Sequence, residues 1–332
     1  MNVLKFLESK KFFFLPVNTG FGQNGEPDNK LIEFYRKRSG NNIYCSIVGN
    51  IVIPNGFGSN DQCLFISESD KWEKLSSAIN ENNTIAGIQL SSAWPNYIGN
   101  RGFVSSSSST IDNYLSQAKN ISIAEIDKIA DQLQEAVNLS IQHGFKHIQL
   151  HAGHGYLFSL LLDSVFCDNS EYALNKVRTI FSNLPRNIES SLRFSLLTGM
   201  QRLDKQRKQE LTIEKLLMLP FNTFDISFGF YNINKHMIYP ETNSMLKSRT
   251  DKSLELSITH PNKNFIISGR SLRKFKDQLP ENVDIGICRD LIANPSFLKN
   301  LSDGCTLCGK CHYYSRGETH ITCGSWEVYP LG

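Results

Sequence analysis

The fold is decided by residues 121–156, which read ISIAEIDKIADQLQEAVNLSIQHGFKHIQLHAGHGY. Ser122 and Glu125 form a capping-box pattern, and apolar residues recur after them at helical spacing. Gly144 can end this helix, because glycine adopts the left-handed conformation that is common at helix C-termini. A short apolar strand at 146–150 follows and leads into the polar loop HAGHGY. The segment therefore predicts a helix followed directly by a buried strand, the repeating unit of an α/β fold.

The same alternation of short apolar runs with helical stretches continues along the chain. Strands are predicted at residues 12–17, 42–53, 84–90, 146–150, 192–197, 224–228, 265–268 and 283–288. Further helices are predicted at residues 30–38, 70–79, 175–184, 213–219 and 272–278, and a polar insertion at 91–120. Strands that alternate with helices pair in parallel, and eight such units in 332 residues favour a closed (β/α)8 TIM barrel. A Rossmann fold is disfavoured, because no G-x-G-x-x-G motif follows the first strand.

Composition excludes several classes of protein. The chain is 40% hydrophobic and 20% charged, which is typical of a globular protein with a proper core. Its net charge is only +3 and no long run of Lys and Arg occurs, so nucleic acid is not expected as a partner. No apolar run approaches the ~18 residues that a membrane span needs, so no membrane partner is expected. These observations predict a soluble, cytoplasmic protein with reduced thiols.

Three polar side chains follow the fourth predicted strand. In a (β/α)8 barrel the chemistry lies where strands end and the following loops begin, which places His151, His154 and Tyr156 at the catalytic rim. Two imidazoles can together bind one carbonyl or phenolate oxygen, and a nearby phenol can deliver a proton to an activated carbon. The same histidines could instead form a zinc site, or be loop residues without a catalytic role.

Residues 122–162 resemble the old yellow enzyme family of FMN-dependent ene-reductases. In that family a capped helix, a glycine, a strand and a His-x-x-His/Asn-Gly-Tyr-Leu segment occur in this order, as they do here through Leu157. The resemblance implies a (β/α)8 barrel that binds FMN. It also implies that His151 and His154 bind the activating oxygen of the substrate and that Tyr156 is the proton donor.

The resemblance extends to residues that would contact the flavin ring. Pro16 and Asn18 correspond to the element after the first strand, with Asn18 where the family usually has Thr or Cys. Gly49 matches the small residue that lets the flavin approach the backbone. Gln89 matches the glutamine that binds the pyrimidine edge of the flavin. Arg193 matches the arginine near flavin N1 and O2, where its charge would stabilise the anionic reduced flavin.

Two late segments resemble the family's phosphate site. Ser268 and Gly269 lie at the end of the seventh strand, and Arg289 follows the eighth, where barrels commonly bind phosphate. Arg289 would pair with the phosphate in a bidentate manner. Cys288 stands where the family usually has glycine. The stretch at 169–173 is a reduced form of the family's Arg-x-Asp-Glu-Tyr-Gly-Gly segment, which leaves the substrate class open.

Four of the eight cysteines lie near the C-terminus, at Cys305, Cys308, Cys311 and Cys323. Three cysteines at x2 spacing with a distant fourth favour a [4Fe–4S] cluster over zinc, and free thiols are the third alternative. Larger relatives such as dienoyl-CoA reductase and trimethylamine dehydrogenase carry iron–sulfur ligands at this position. We therefore expect an FMN-binding barrel at 1–300 and a cysteine-rich, metal-binding tail at 301–332.

The sequence leads to one main functional hypothesis and two alternatives. The main hypothesis is an FMN-dependent oxidoreductase that transfers hydride, through flavin N5, to or from an activated C=C bond of an unsaturated small-molecule carbonyl compound. Electrons are expected from NAD(P)H or from a separate electron-donor protein. The first alternative is a dihydrouridine-synthase-like FMN enzyme acting on RNA, for which Cys167 is the candidate loop cysteine. The second is a non-catalytic electron-transfer subunit.

Overall fold

The computed structural model describes residues 9–104, 108–270 and 279–327, and it confirms the (β/α)8 barrel. Its strands are β1 (Phe12–Phe14), β2 (Cys45–Val52), β3 (Leu64–Phe65), β4 (Ile85–Ser91), β5 (His147–Ala152), β6 (Glu189–Ser195), β7 (Thr223–Ser227), β8 (Asn264–Ile267) and β9 (Val283–Ile287). All strand pairings are parallel, and β1 pairs with both β2 and β9 to close the barrel. The two-residue β3 is an addition beside β2.

Helices surround the barrel between the strands. They are α1 (Asn29–Arg38), α2 (Lys71–Asn80), α3 (Ser108–Ala118), α4 (Ile123–Gln142), α5 (Leu157–Leu161), α6 (Ser170–Ser182), α7 (Gln201–Gln209), α8 (Thr212–Leu217), α9 (Lys235–Ile238), α10 (Asn243–Thr259), α11 (Arg289–Ala293) and α12 (Tyr313–Arg316), with 3-10 turns at Phe297–Lys299 and Gly324–Glu327. Within the described ranges, no helix is both long and apolar enough to cross a bilayer.

The helix and strand that decide the fold form as their sequence predicts. The Ser122 hydroxyl accepts a hydrogen bond from the Glu125 amide (3.2 Å), and the Ser122 amide donates to the Glu125 carboxylate (2.9 Å). Gly144 has a φ of +83°, the left-handed conformation expected after the helix. Strand β5 then runs two residues further than predicted, so His151 lies within the strand rather than after it.

Several helices were not predicted from the sequence, and α10 and α3 are the longest of them. Helix α10 turns a polar stripe inward, so the hydrophobic repeat that signals a helix is absent; its buried residues are Leu246, Arg249, Thr250, Ser253 and Ser257. Helix α3 lies inside the predicted polar insertion. The helix predicted at 272–278 lies outside the described residues.

The barrel interior is divided into an apolar half and a polar half. The inward residues of β1, β2 and β8, with Leu15 directly after β1, are apolar, and they are Phe13, Leu15, Cys45, Ile47 and Ile266. The inward residues of β4 to β7 are polar, and they include Gln89, His147, Gln149, Ser191, Arg193 and Asp225. Buried polar side chains need hydrogen-bond partners, so this half carries a bonded network that leads to the C-terminal ends of the strands.

The tail after the barrel packs against it at several points. The Ile321 amide donates to the Thr19 carbonyl (2.8 Å), the Trp326 indole donates to the Ile292 carbonyl (2.8 Å), and the Cys305 amide donates to the Asp290 carboxylate (2.8 Å). The tail therefore covers the ends of the strands that form the site. Its division from the barrel at residue 300 stays a prediction.

Candidate active site

A cavity opens at the C-terminal ends of the strands. The space between its walls is about 1450 Å³, a figure that includes the part open to solvent. The predicted site residues that line it are Pro16, Asn18, Gln89, His151, His154, Tyr156, Arg193, Ser268, Gly269, Arg289 and, from the cysteine group, Cys311. Predicted site residues from six strand ends and from the tail therefore share one cavity.

The two histidines and the tyrosine pack against one another. The rings of His151 and His154 lie 5.0 Å apart, and those of His151 and Tyr156 lie 5.4 Å apart, both edge to face. The Nδ1 atom of His151 is buried and has no hydrogen-bond partner among the described residues. A buried polar atom without a partner is costly unless a ligand satisfies it, so His151 is suited to bind a substrate oxygen.

His154 is held by its backbone and by its side chain. Its φ of +60° is unusual for a residue other than glycine, and its amide donates to the Ser195 hydroxyl (2.8 Å). Its Nε2 lies 2.6 Å from the Ser227 hydroxyl. Two serines at the ends of β6 and β7 therefore fix the imidazole beside His151, and Ser227 was not recognised from the sequence.

Burial sets the protonation states of this group. Burial, with the charge of Arg193, holds the pKa of His151 well below its usual value of 6.5. Burial and the neighbouring His151 lower the pKa of His154 in the same direction. Burial, with Tyr231 and Tyr239, raises the pKa of Tyr156 well above 10. At neutral pH the site therefore presents two neutral imidazoles and a protonated phenol.

Gln89 and Arg193 lie on a buried hydrogen-bonded network. The Gln89 amide nitrogen donates to the Gln149 side-chain oxygen (2.7 Å), and Arg193 Nη1 donates to Asp225 Oδ2 (3.0 Å). The Nε atom of Arg193 is buried and has no partner among the described residues. A ligand edge with acceptor atoms would satisfy it, which fits the pyrimidine ring of FMN.

Gly49 and Asn18 are two predicted flavin-binding residues whose observed contacts are with neighbouring parts of the protein. Gly49 does not line the cavity; a Cβ there would lie 2.7 Å from that of Gln89 and 3.1 Å from that of Pro16. Its lack of a side chain lets these two residues approach each other. Asn18 accepts a hydrogen bond from the Gly20 amide (3.2 Å) and reaches the Cys63 sulfur (3.5 Å), so its amide holds the loop after β1.

The predicted phosphate site brings cationic side chains to the wall of the cavity. Gly269 has a φ of +84°, and Arg289 Nη2 donates to the Pro240 carbonyl (2.9 Å). The Ser268 hydroxyl accepts from the buried guanidinium of Arg249 (2.7 Å), and Arg270 lines the cavity beside Gly269. Guanidinium groups beside a left-handed glycine suit a phosphate, because they supply charge and allow close backbone approach.

Four tyrosines on the cavity wall were missed from the sequence: Tyr231, Tyr239, Tyr313 and Tyr314. Two come from the loop and helix after β7 and two from the tail helix α12, so no single motif joins them. Tyr231 stacks on Tyr156 with ring centroids 6.3 Å apart. The phenol of Tyr313 accepts a hydrogen bond from Asn60 (3.3 Å). The cavity wall is therefore rich in aromatic surface.

The four tail cysteines are free thiols that do not form a metal-ligand group. Among the described residues, no group of three or more His, Cys, Asp and Glu side chains is arranged to hold a metal ion. Cys308 and Cys323 contact each other, whereas Cys311 faces the cavity. Cys167, the cysteine that an RNA-modifying enzyme would need on a barrel loop, is fully buried in the core and does not line the cavity.

Comparison with protein families supports a flavin oxidoreductase. The model of the NADH:flavin oxidoreductase / NADH oxidase family matches residues 16–172, a little under half of the chain. That part contains Gln89 and the segment from His151 to Tyr156, whereas Arg193, Arg289 and the tail cysteines lie beyond it. A search of curated proteins finds no match.

Several solved structures share the fold. A 2-naphthoyl-CoA reductase with bound 2-naphthoyl-CoA has a TM-score of 0.71 and 15% identity, over 95% of this chain and 54% of its own. Histamine dehydrogenase from Rhizobium sp. 4-9 has a TM-score of 0.71 and 18% identity, over 95% and 50%. Old yellow enzyme from Pichia sp. AKU4542 has a TM-score of 0.64 and 16% identity, over 88% and 83%. The chain thus spans about half the length of the first two, and at these identities the likeness shows the fold alone.

Proposed function

We propose that this chain is an FMN-dependent oxidoreductase that acts on an activated C=C bond of a small carbonyl compound. The observation that carries the proposal is that one cavity joins a neutral histidine pair and a protonated tyrosine to Arg193 and Gln89. The first group suits a polarised carbonyl substrate, and the second suits a flavin ring. The match of the flavin oxidoreductase family to residues 16–172 supports the same cofactor.

The residues present fit FMN. Gln89 and Arg193 would hold the pyrimidine edge, where the partnerless Nε of Arg193 needs an acceptor. Gly269 and Arg289, which also line the cavity, would hold the phosphate. Bound FMN would supply a hydride at N5.

The histidines and Tyr156 would perform the remaining chemistry. His151 Nδ1 would donate a hydrogen bond to the substrate carbonyl oxygen and withdraw electron density from the conjugated C=C bond. Tyr156 would deliver the proton to the carbon that becomes electron-rich. The tyrosine-lined wall would exclude water from this pair and contact a planar, conjugated substrate.

The cysteine group carries a separate proposal that rests on spacing alone. The thiols of the tail are not gathered into a ligand set, so no step of the reaction is assigned to them. A [4Fe–4S] cluster, or zinc, remains our proposal for Cys305, Cys308, Cys311 and Cys323, with NAD(P)H or an electron-donor protein as the source of electrons. Iron, sulfide and zinc assays on anaerobically purified protein distinguish these alternatives.

The test of the main proposal is reconstitution with FMN. We expect purified protein to be yellow, or apoprotein to take up one FMN with quenching of flavin fluorescence. An Arg193→Met variant should bind FMN at least tenfold more weakly, because it loses a charge-assisted hydrogen bond. Protein that stays colourless and takes up no FMN would overturn the proposal.

A further inference from the structure

The buried side chains beneath the cavity form a directed chain of hydrogen bonds. The Gln89 Nε2 atom donates to Gln149 Oε1 at 2.7 Å. The Gln149 Nε2 atom donates to Ser191 Oγ at 3.0 Å and to Asp225 Oδ2 at 3.3 Å. Arg193 Nη1 donates to the same carboxylate oxygen at 3.0 Å. The chain therefore joins four strands, β4 to β7, on the inner face of the barrel.

The carboxylate of Asp225 sets the direction of this chain. Paired with the guanidinium of Arg193, it can only accept hydrogen bonds, so Gln149 must turn its NH2 group toward it. The Gln149 carbonyl oxygen then faces Gln89, so Gln89 must donate a hydrogen bond to it from its own NH2 group. The Gln89 carbonyl oxygen is thereby turned away from Gln149 and left to the cavity that Gln89 lines.

Arg193 adds a donor to this acceptor. Its Nε is buried without a partner among the described residues, while its Nη1 is occupied by Asp225. The wall of the cavity thus offers a carbonyl acceptor from Gln89 and an N–H donor from Arg193. The complementary ligand edge carries an N–H group next to oxygen or nitrogen acceptors.

We propose that Asp225 and Gln149 are positioning residues that fix the amide of Gln89 with its oxygen toward the cavity and so select a ligand edge bearing an N–H group. The inference rests on the proposed FMN site. In the oxidised isoalloxazine ring, N3–H is the ring N–H donor; it lies between the acceptors O2 and O4, and N1 lies on the other side of O2. The acceptor from Gln89 would bind N3–H, and the donor from Arg193 would bind the adjacent acceptors.

The test compares FMN with N3-methyl-FMN, which lacks that donor. Dissociation constants are measured on apoprotein by quenching of flavin fluorescence, and the ratio of the two constants reports the orientation of Gln89. We expect the native protein to bind N3-methyl-FMN at least tenfold more weakly than FMN. In Gln149→Leu and Asp225→Asn the ratio should fall toward one, because nothing then prevents the Gln89 amide from turning over.

A double variant provides the rescue. Asp225→Asn with Gln149→Glu restores one carboxylate to the chain, and this carboxylate again can only accept from Gln89, so the ratio should return toward the native value. Ser190→Ala is the matched control. Ser190 is next to Ser191 in the sequence, but its hydroxyl donates to Asn222 (3.3 Å), which is not part of the chain of hydrogen bonds. Its ratio should equal that of the native protein.

The outcomes separate the two proposals. If Gln149→Leu and Asp225→Asn bind FMN with the native ratio, the positioning role is wrong while the FMN site stands. The positioning role is equally wrong if the native protein does not distinguish the two flavins. If the native protein binds neither flavin, the proposed function fails, and the ligand named here fails with it.

Discussion

Arg193 and Asp225 form a buried ion pair beneath the cavity, with Nη1 of the arginine 3.0 Å from Oδ2 of the aspartate. Asp225 is fully buried, and burial raises its pKa, although the charges of Arg193 and Arg249 act in the opposite direction. The positive charge of the Arg193 guanidinium, which lines the cavity, is therefore largely balanced by the Asp225 carboxylate. A flavin bound there would meet a weaker positive field than a lone arginine would create.

This pairing predicts the effect of Asp225→Asn on redox potential. Without the carboxylate, Arg193 carries an uncompensated charge that stabilises anionic reduced flavin, so the midpoint potential of bound FMN should rise. The rise should be ~30 mV for each tenfold gain in relative affinity for the reduced form. Arg193→Met should shift the potential in the opposite direction. Both are measured by dye-equilibrated reductive titration, and a fall in potential for Asp225→Asn would contradict the argument.

Tyr156→Phe is expected to separate binding from turnover. The variant keeps the ring that packs at 5.4 Å from His151 but loses the proton. We expect it to bind FMN as the native protein does and to be reduced normally. Its reoxidation by an enone should slow by ~10²–10⁴-fold, the usual contribution of a general acid. Stopped-flow absorbance of each half-reaction measures this.

The control for this variant is Tyr172→Phe. The Tyr172 hydroxyl donates to the Asp127 carboxylate between α6 and α4, and neither residue lines the cavity. Both half-reactions should keep their native rates in this variant. If the reoxidation rate falls equally in the two variants, Tyr156 is not the proton donor.

The pKa shifts at the site predict a flat pH profile. His151 and His154 titrate below 6.5 because burial disfavours the imidazolium, and Tyr156 titrates above 10 because burial disfavours the phenolate. No change of charge on these groups therefore occurs between pH 6.5 and 10. Single-turnover reoxidation of the bound flavin should be constant across this interval. An inflection near pH 7 that His151→Asn abolishes would show a charged, solvated histidine instead.

The predicted catalytic residues lie close together in the sequence, whereas the missed positioning residues stand singly on separate strands. His151, His154 and Tyr156 lie within six consecutive positions at the end of one strand, so periodicity and the barrel rule are sufficient to locate them. Asp225 and Gln149 each lie inside a buried strand, where a single polar residue in an apolar run gives no indication of a functional site. Their inward direction could have been counted from the strand alternation, but their partners come from other strands. Sequence spacing does not express such contacts.

Helix α10 and the tail also depend on contacts between residues distant in the sequence, which sequence patterns do not reveal. Arg249 is buried on α10 although it is charged, because its guanidinium bonds to the carbonyls of Met237 and Ile238 and to Ser268. These partners are tertiary, so hydrophobic periodicity could not reveal the helix. The tail was predicted as a metal-binding extension, and its second role, lining the cavity with Tyr313 and Tyr314, followed only from packing.

Glu189 at the opposite end of the barrel predicts how stability depends on pH. Burial raises the pKa of its carboxyl, but hydrogen bonds from His147 and Tyr44 outweigh burial and lower the pKa from 4.5 to about 2. A carboxyl whose pKa is lower in the folded state stabilises the protein above its unfolded pKa. That stability is lost as the pH falls from about 4.5 to about 2.

Glu189→Gln should remove this part of the pH dependence. Because the Glu189 side chain is 37% exposed, solvent screening limits its contribution to at most about 1 kcal/mol. The free energy of unfolding, measured with urea at pH 7 and pH 3, should therefore fall less on acidification in Glu189→Gln than in the native protein. Glu255→Gln, an exposed position on α10, is the control and should retain the native difference. An identical acid sensitivity in native protein and Glu189→Gln would mean that the His147–Glu189–Tyr44 contact contributes nothing to the fold, because a neutral amide cannot titrate over this interval.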